Sequence, residues 1–269
     1  MNQYPLISIV TVCLNSGKTI RTTIESVLNQ TYQNYEYIIK DGGSKDNTLE
    51  IAKEYEDIFA GRLHIIQQKD KCMYEAMNQG IGVCSGELIG IINSDDYYSP
   101  DTLEKVAKVY ENSETELLVV IGDMERVSNE GELIYRYRFT QDMVDRKSCF
   151  GHPSMFAAKA VYDRIGLYDT SYSLAADGDW QYRAMEDDEV QVVLIPSVFN
   201  HMREGGASDN PKYRWKWFRE RSRMQIEHHR GSKMTIYFKE LKKVIKTDIK
   251  SILPKAIMKK AYGIRYSSR

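Results

Sequence analysis

Short apolar runs alternate with segments of helical spacing along the N-terminal part of the chain. The runs are rich in β-branched residues, as in parallel strands covered on both faces. They occupy residues 6–14, 35–40, 63–67, 88–93 and 117–122. Helical spacing occurs at residues 19–28, from Asp46 or Asn47 to Phe59, at residues 73–83 and from Pro100 onwards. This βαβα order predicts an α/β fold with a doubly wound, mostly parallel sheet.

The remainder of the chain has a less regular pattern. Residues 132–139 and 191–195 are strand-like, and residues 179–186 have helical spacing. Three helical stretches follow, at residues 211–229, 235–252 and 254–262. We therefore expect a main domain of residues 1–210 and a helical C-terminal extension of residues 211–269.

Polar or glycine-bearing segments follow four of the predicted strands. They are Asn15, Asp41–Ser44, Asp70 and Asn93–Asp96. Ligands of open α/β sheets bind beyond the carboxyl ends of the strands, where these segments would meet. The sequence thus predicts a polar pocket at that edge.

Adjacent carboxylates in the last of these segments indicate a metal site. Asp95 and Asp96 follow an apolar strand, and like charges in a cleft raise each other's pKa. Mn²⁺ or Mg²⁺ would relieve that repulsion and would be shared with the phosphates of a substrate. A simple helix cap before Pro100 is the alternative.

Several motifs together resemble the family-2 inverting glycosyltransferases with a GT-A fold. The first is the opening strand Ser8–Val12 with Asn15, followed by Glu25–Val27 and Gln30–Tyr32. Asp41–Asp46 is similar to the nucleotide-contacting loop of the family, and Asn93–Asp96 stands at the place of its metal-binding aspartates. Residues 70–80 resemble a stretch of members that build surface polysaccharides such as O-antigen, although Cys72 replaces the usual glycine.

The resemblance implies a Rossmann-like, mostly parallel GT-A sheet flanked by helices, and it assigns roles to individual residues. Asp177 would be the base that deprotonates the acceptor hydroxyl, and Asp96 and His201 would bind the metal. The donor would be contacted by Thr11, Asn15, Asp41, Gly43, Ser44, Asp70, Asn78, Asn93, Asp95 and Arg203. The residues alone leave Asp177 open as a helix cap and residues 201–208 open as a surface turn; His152, in a short motif like one on the acceptor side of the family, is a further candidate contact.

Charge is distributed unevenly along the chain. The segment from Lys212 to Arg269 has 18 Lys and Arg against 4 Asp and Glu, whereas the whole chain has a net charge of −1. Trp215, Trp217 and Phe218 lie among these cations. Basic residues interleaved with tryptophan are typical of helices at an anionic membrane surface. Nucleic acid is the less favoured partner, and a solvated charged helix face is the alternative.

Other features of the sequence bear on the cellular location and the functional class of the protein. The four cysteines have no zinc or redox spacing, and no signal peptide or membrane helix is evident, so we expect reduced thiols in a cytoplasmic protein, peripheral on the inner membrane. The favoured function is transfer of a hexose from a UDP-sugar to a hydroxyl of an oligosaccharide acceptor, carried on a lipid such as a polyprenyl chain. A sugar-1-phosphate nucleotidyltransferase and a non-catalytic nucleotide- or nucleic-acid-binding module are the alternatives. No GxGxxG motif of a dehydrogenase follows the first strand.

Overall fold

A nine-stranded sheet forms the centre of the first of two units, Met1–Asp209 and Asn210–Arg269, into which the chain divides. The structure is a computed structural model that describes residues 4–206 and 210–252. The strands are β1 (Ile7–Cys13), β2 (Tyr35–Asp41), β3 (Leu63–Gln67), β4 (Leu88–Asn93), β5 (Tyr97–Tyr98), β6 (Leu118–Val127), β7 (Leu133–Tyr137), β8 (Met155–Ala158) and β9 (Gln191–Arg203). Their order is β3-β2-β1-β4-β8-β6-β9-β5, and β7 pairs with β6.

Helices connect these strands. In the first unit they are α1 (Ile20–Leu28), α2 (Thr48–Lys53), α3 (Met73–Ile81), α4 (Thr102–Glu111), α5 (Gln141–Asp145), α6 (Lys159–Ile165) and α7 (Ala176–Glu186), and a 3-10 helix covers His152–Ser154. The buried side chains of α1 are Ile20, Thr23, Ile24 and Val27, the spacing of one helix face. The predicted α/β class is thus confirmed.

The sheet has a parallel half and a mixed half. β1 pairs in parallel with β2 and β4, and β2 pairs in parallel with β3. All seven residues of β1 are buried, which explains its nearly unbroken apolar sequence. β8 then runs antiparallel to both β4 and β6. The carboxyl ends of four parallel strands therefore meet at one edge.

Several predicted boundaries differ from those observed. α2 ends at Lys53 and not at Phe59, and α4 begins at Thr102, two residues after Pro100. β9 was predicted to end at Ile195, yet it continues past Pro196, where its pairing with β6 shifts register. Because proline has no amide hydrogen to donate to a sheet, an irregularity at this point lets the strand continue.

The strand β8 and the helix α6 were not predicted. β8 is only four residues long, and α6 follows it without a loop, so neither offers a run long enough to show its period. Gly90 on β4 makes the contact with β8 possible: a Cβ at this residue would lie 2.3 Å from a ring carbon of Phe156.

The second unit contains a 3-10 helix (Pro211–Tyr213) and the helices α8 (Arg214–Glu227) and α9 (Lys233–Ile252). Glu240 on α9 is 2% exposed and is paired with Arg221 on α8 at 3.2 Å and with Lys243 at 2.5 Å. Among the residues described, no helix has the length and apolar content needed to cross a bilayer. The predicted helix at residues 254–262 lies outside the described residues.

Candidate active site

The loop after β2 is held by the carboxylate of Asp41. Asp41 is fully buried, and its Oδ2 accepts hydrogen bonds from the backbone N–H groups of Gly43 and Ser44, both at 2.9 Å. Its Oδ1 accepts a hydrogen bond from the Ser44 hydroxyl. Gly43 has a φ of +101°, a conformation that favours glycine. The backbone of this loop is therefore preorganised.

Asn15 connects the loops after β1 and β2. Its backbone N–H donates to Ser44 Oγ at 2.8 Å, and its Oδ1 accepts from the N–H of Lys45 at 2.9 Å. Asn15 adopts a φ of +53°, in the left-handed region that asparagine tolerates better than most residues. Three predicted donor contacts, Asn15, Gly43 and Ser44, thus lie together.

A buried ion pair joins the ends of β2 and β3. The Nζ of Lys40, which is fully buried, lies 2.9 Å from Oδ2 of Asp70, whose side chain is 14% exposed. Lys40 also donates to the carbonyls of Asp41 and Gln68. Gly42 allows this approach, since a Cβ there would lie 2.8 Å from Asp70 Oδ2. Asp70 therefore reaches the predicted edge, held by a lysine that sequence analysis did not single out.

Two predicted donor contacts are engaged elsewhere in the protein. Thr11 is fully buried, and its hydroxyl accepts a hydrogen bond of 2.9 Å from Tyr37. The Asn78 amide bonds both backbone groups of Tyr168: Nδ2 donates to its carbonyl at 2.8 Å, and Oδ1 accepts from its N–H at 3.0 Å. Both side chains stabilise the fold in this arrangement, and their contact with a donor stays a prediction.

Asp95 and Asp96 lie in the turn between β4 and β5. Asp96 is 1% exposed; its Oδ2 accepts from Asn93 Nδ2 at 3.0 Å, and its Oδ1 accepts from the N–H of Arg203 at 3.1 Å. Burial and then the neighbouring Asp95 raise the pKa of Asp96 to about 7, and burial also raises the pKa of Asp95. The pair thus lies where a negative charge is costly.

This carboxylate pair fits a hard divalent cation. A cation beside the pair would favour the ionised form, and carboxylate oxygens are the ligands that Mg²⁺ and Mn²⁺ prefer. In the part of the chain that the structure describes, no cluster of three or more His, Cys, Asp or Glu is arranged as a metal site. Mg²⁺ in proteins is usually bound by one or two carboxylates together with substrate phosphates and water.

His201 is close to this turn but is already hydrogen-bonded. Its Nδ1 lies 3.1 Å from Glu125 Oε2, its Nε2 lies 3.0 Å from Ser99 Oγ, and its ring stacks on Tyr97 with centroids 4.6 Å apart. Burial lowers its pKa. As a metal ligand His201 would have to exchange one of these partners, so its metal-binding role stays a prediction.

Arg203 provides the positive charge at this turn. Its guanidinium lies 5.4 Å from the centroid of the Tyr97 ring. Burial raises the pKa of Asp95, and the positive charge of Arg203 opposes that increase. Its Nε is buried and has no hydrogen-bond partner within the described residues. Arg203 thus has a donor available for an anionic ligand. Residues 207 and 208, at the end of the segment 201–208 that the sequence left open as a surface turn, lie outside the described residues.

Asp177 lies in the first turn of α7, a favourable position for a negative charge. Its Oδ1 accepts a hydrogen bond of 2.8 Å from the Tyr74 hydroxyl on α3, and its Oδ2 lies 3.5 Å from Nδ1 of His152. Burial raises the pKa of Asp177, but His152 and Tyr74 outweigh it, so the pKa is lowered overall. The side chain is 21% exposed, so the carboxylate remains accessible from outside the protein.

These geometric features agree with the comparison with known families. The sequence model described as "Glycosyl transferase family 2" matches residues 8–166. The chain belongs to glycosyltransferase family 2. This membership favours the glycosyltransferase over the other classes that the sequence left open, and it makes the protein an enzyme of glycan biosynthesis.

The relatives of this chain include enzymes named for the biosynthesis of different products. A PGL/p-HBAD biosynthesis glycosyltransferase of Mycobacterium tuberculosis is 28% identical over 207 residues, covering 77% of this chain and 80% of the relative. The chondroitin synthase of Escherichia coli is 31% identical over 192 residues, which are 69% of this chain but 27% of that larger protein.

Solved structures confirm the GT-A fold. S. aureus TarS 1-349 in complex with UDP-GlcNAc superposes with a TM-score of 0.67 at 17% identity, covering 87% of this chain and 71% of the TarS 1-349 chain. The mannosyltransferase PcManGT of Pyrobaculum calidifontis, in complex with GDP-Man and Mn²⁺, gives a TM-score of 0.62 at 13% identity and covers 98% of this chain and 81% of that one. Enzymes of family 2 generally depend on a divalent metal.

The residues that support the site were not predicted from the sequence. Lys40 looked like an ordinary strand residue, and Tyr74 fell at a helical spacing typical of core residues. The available signal was that Lys40 directly follows the apolar residues 37–39 of β2, because a buried lysine requires a counter-charge.

Proposed function

We propose that this glycosyltransferase inverts the anomeric centre while it transfers a hexose from a UDP-sugar to a hydroxyl of a glycan acceptor. The observation that supports this best is the placement of Asp177, a partly exposed carboxylate whose pKa is lowered. It is connected through His152 and Asn93 to Asp96, which lies at the edge of the sheet where the sugar donor is predicted to bind. A base for the acceptor and an acidic turn for the donor thus belong to one site.

The reaction follows from these positions. Asp177 accepts the proton of the acceptor hydroxyl while the oxygen of that hydroxyl forms a bond to the anomeric carbon. The bond from that carbon to the diphosphate oxygen breaks, and UDP leaves with the electron pair. Attack comes from the face opposite UDP, so an α-linked donor gives a β-linkage. A Mn²⁺ or Mg²⁺ ion held by Asp96 and His201, when bound, would neutralise charge on the leaving diphosphate.

Replacement of Asp177 tests its role as the base. Asp177→Asn keeps the shape of the side chain but cannot accept the proton, so transfer should fall by about 10²- to 10⁴-fold while UDP binding is retained. Asp163→Asn, which alters an exposed aspartate on α6, is the matched control and should transfer normally. Transfer by Asp177→Asn at the wild-type rate would remove Asp177 from the role of base.

A UDP-sugar is the proposed donor, and the TarS complex with UDP-GlcNAc supports it. The GDP-Man complex of PcManGT makes a GDP-sugar the main competitor. Thermal shift with UDP-, GDP- and dTDP-sugars, with and without Mn²⁺, separates them. We expect stabilisation by the UDP-sugar only when metal is present, and we expect Asp96→Ala to abolish that dependence. Stabilisation by GDP-mannose alone would overturn the choice of donor.

The proposed acceptor is lipid-linked and lies at the cytoplasmic face of an anionic membrane. The second unit would bind that membrane surface. Trp215, Tyr237 and Phe238 are exposed there, at 59%, 46% and 62%. The ring of Phe218 joins Trp215 to Tyr237, with centroids 5.8 and 6.0 Å apart, and Lys242 Nζ lies 4.5 Å from the centroid of Phe238. Exposed rings beside cations suit an interface with anionic headgroups.

Vesicle sedimentation tests this surface. The wild type should sediment with vesicles containing anionic phosphatidylglycerol, less so as salt is raised, and not with neutral phosphatidylcholine vesicles. Phe238→Gln should weaken binding, whereas Leu133→Gln, an equally exposed apolar position on β7, should not. Equal binding by Phe238→Gln and the wild type, or binding of RNA in place of vesicles, would contradict the proposal.

A further inference from the structure

One chain of polar contacts connects the proposed base with the acidic turn. Tyr74 donates to Asp177 at 2.8 Å, and Asp177 Oδ2 lies 3.5 Å from Nδ1 of His152. Nε2 of His152 lies 3.3 Å from Oδ1 of Asn93, and Nδ2 of Asn93 donates to Asp96 at 3.0 Å. The chain joins α3, α7, the 3-10 helix at His152–Ser154 and the end of β4.

Each ring nitrogen of His152 faces an acceptor oxygen of a neighbouring side chain. Asn93 uses its amide hydrogens on Asp96, so its Oδ1 is an acceptor toward His152. The carboxylate of Asp177 is also an acceptor. His152 thus lies between the carboxylate of Asp177 on one side and Asn93 at the acidic turn on the other.

We propose that His152 is a positioning residue for the transfer reaction, which fixes Asp177 toward the acceptor and, through Asn93, relative to the donor edge. This rests on the proposed function of Asp177 as the base. The 3-10 helix holds the side chain of His152 in place, because His152 is only 12% exposed and the adjoining Pro153 and Ser154 are buried. A base on α7 and a donor site on β4 belong to different elements, and His152 is the side chain that contacts both.

The electrostatics of Asp177 are consistent with this role. The titratable groups that face Asp177 are Tyr74 from α3, Tyr168 from the loop before α7, and His152. Burial raises the pKa of Asp177, and the charge and hydrogen bond of His152 are the largest of the opposing effects. Loss of His152 should therefore raise the pKa of Asp177. The base would then remain protonated to a higher pH.

Steady-state kinetics of His152→Gln across pH test the proposal. We expect kcat to fall by about 10- to 100-fold, because small displacements of a reacting group have effects of this size. The KM for the donor and UDP-induced thermal stabilisation should stay near the wild-type values. The acidic limb of the kcat profile should move to higher pH, because the contact with His152 is the largest of the effects that lower the pKa of Asp177. A purely structural role would not move this limb.

Two further variants keep the test decisive. His64→Gln alters an exposed histidine on β3 and should behave as the wild type. Tyr74→Phe removes the hydrogen bond from the Tyr74 hydroxyl to Asp177 but keeps the ring beside Tyr168, so it should move the acidic limb in the same direction even if His152→Gln folds poorly. If His152→Gln and Tyr74→Phe both fold and the pH profiles of both match the wild type, His152 has no positioning role. If Asp177→Asn itself transfers normally, the assignment of the base is the claim that fails.

Discussion

Replacing Asp70 with asparagine leaves the ammonium of Lys40 buried without a counter-charge. Lys40 is fully buried, and its remaining partners are the carbonyls of Asp41 and Gln68. Removing one partner of a buried ion pair costs about 3–5 kcal/mol. We expect the lower end, about 3 kcal/mol, because Asp70 is 14% exposed and an asparagine oxygen can still accept a hydrogen bond. For a unit of this size the melting temperature should fall by roughly 6–12 °C.

Urea unfolding measures this cost. Trp180 is buried in the first unit, so its fluorescence reports on that unit when Trp215 and Trp217 are replaced by phenylalanine. Glu54→Gln is the matched control, because it breaks the exposed pair with Arg21 and should cost less than about 1 kcal/mol.

A double-mutant cycle identifies the source of the effect. Lys40→Met with Asp70→Asn removes both charges, and the double variant should be more stable than the sum of the two single losses predicts. Strict additivity of the two losses, or an Asp70→Asn variant no less stable than Glu54→Gln, would refute the argument that a buried charge requires Asp70.

Three other variants test separate parts of the structure. Gly90→Ala should cost about 1–3 kcal/mol in urea unfolding, because its Cβ would overlap the ring of Phe156; Phe156→Leu should reduce that cost. Asn78→Ala should cost about 2 kcal/mol through two lost hydrogen bonds to Tyr168, and unchanged calorimetric UDP affinity would argue against donor contact by Asn78. Arg203→Ala should raise the donor KM by about tenfold through a lost charge-assisted contact to phosphate, whereas the exposed Arg138→Ala should not.

The parallel half of the fold was predictable because each element carries its own periodicity. β1 and β4 are buried runs of apolar residues, and the turns after them carry the polar residues that the structure brings to one edge. The mixed half was not predictable in the same way. β8 is recognisable only through its neighbours β4 and β6, since pairing over long sequence distances leaves no local signal in four residues.

The same distinction applies to the site. Asp95 and Asp96 could be identified because adjacent carboxylates after an apolar strand are chemically unusual. The contact between Asn93 and His152 could not, because it joins residues far apart in sequence, and neither residue type is unusual where it stands. The adjacent carboxylates were thus recognisable in the sequence, whereas the side chains that approach them from distant parts of the chain were not.

The hydrogen bonds of Asp41 and Asp96 indicate different roles for the two carboxylates. An ionised carboxylate offers about four acceptor positions. Asp41 uses them on the N–H groups of Gly43 and Ser44, the Ser44 hydroxyl and, at 3.7 Å, the thiol of Cys13. Asp96 accepts from Asn93 and Arg203 only, within the described residues, which leaves capacity for a cation.

Asp41 should therefore act by ordering the loop rather than by direct contact with the ribose. Calorimetric titration of Asp41→Asn with UDP and with 2′-deoxy-UDP distinguishes the two roles. Loss of loop order should weaken both nucleotides by the same factor, because the loop backbone does not sense the 2′-hydroxyl. A hydrogen bond from that hydroxyl to Asp41 would instead weaken UDP alone and abolish the preference for it, and this result would show that the carboxylate gives up a loop contact when the donor binds.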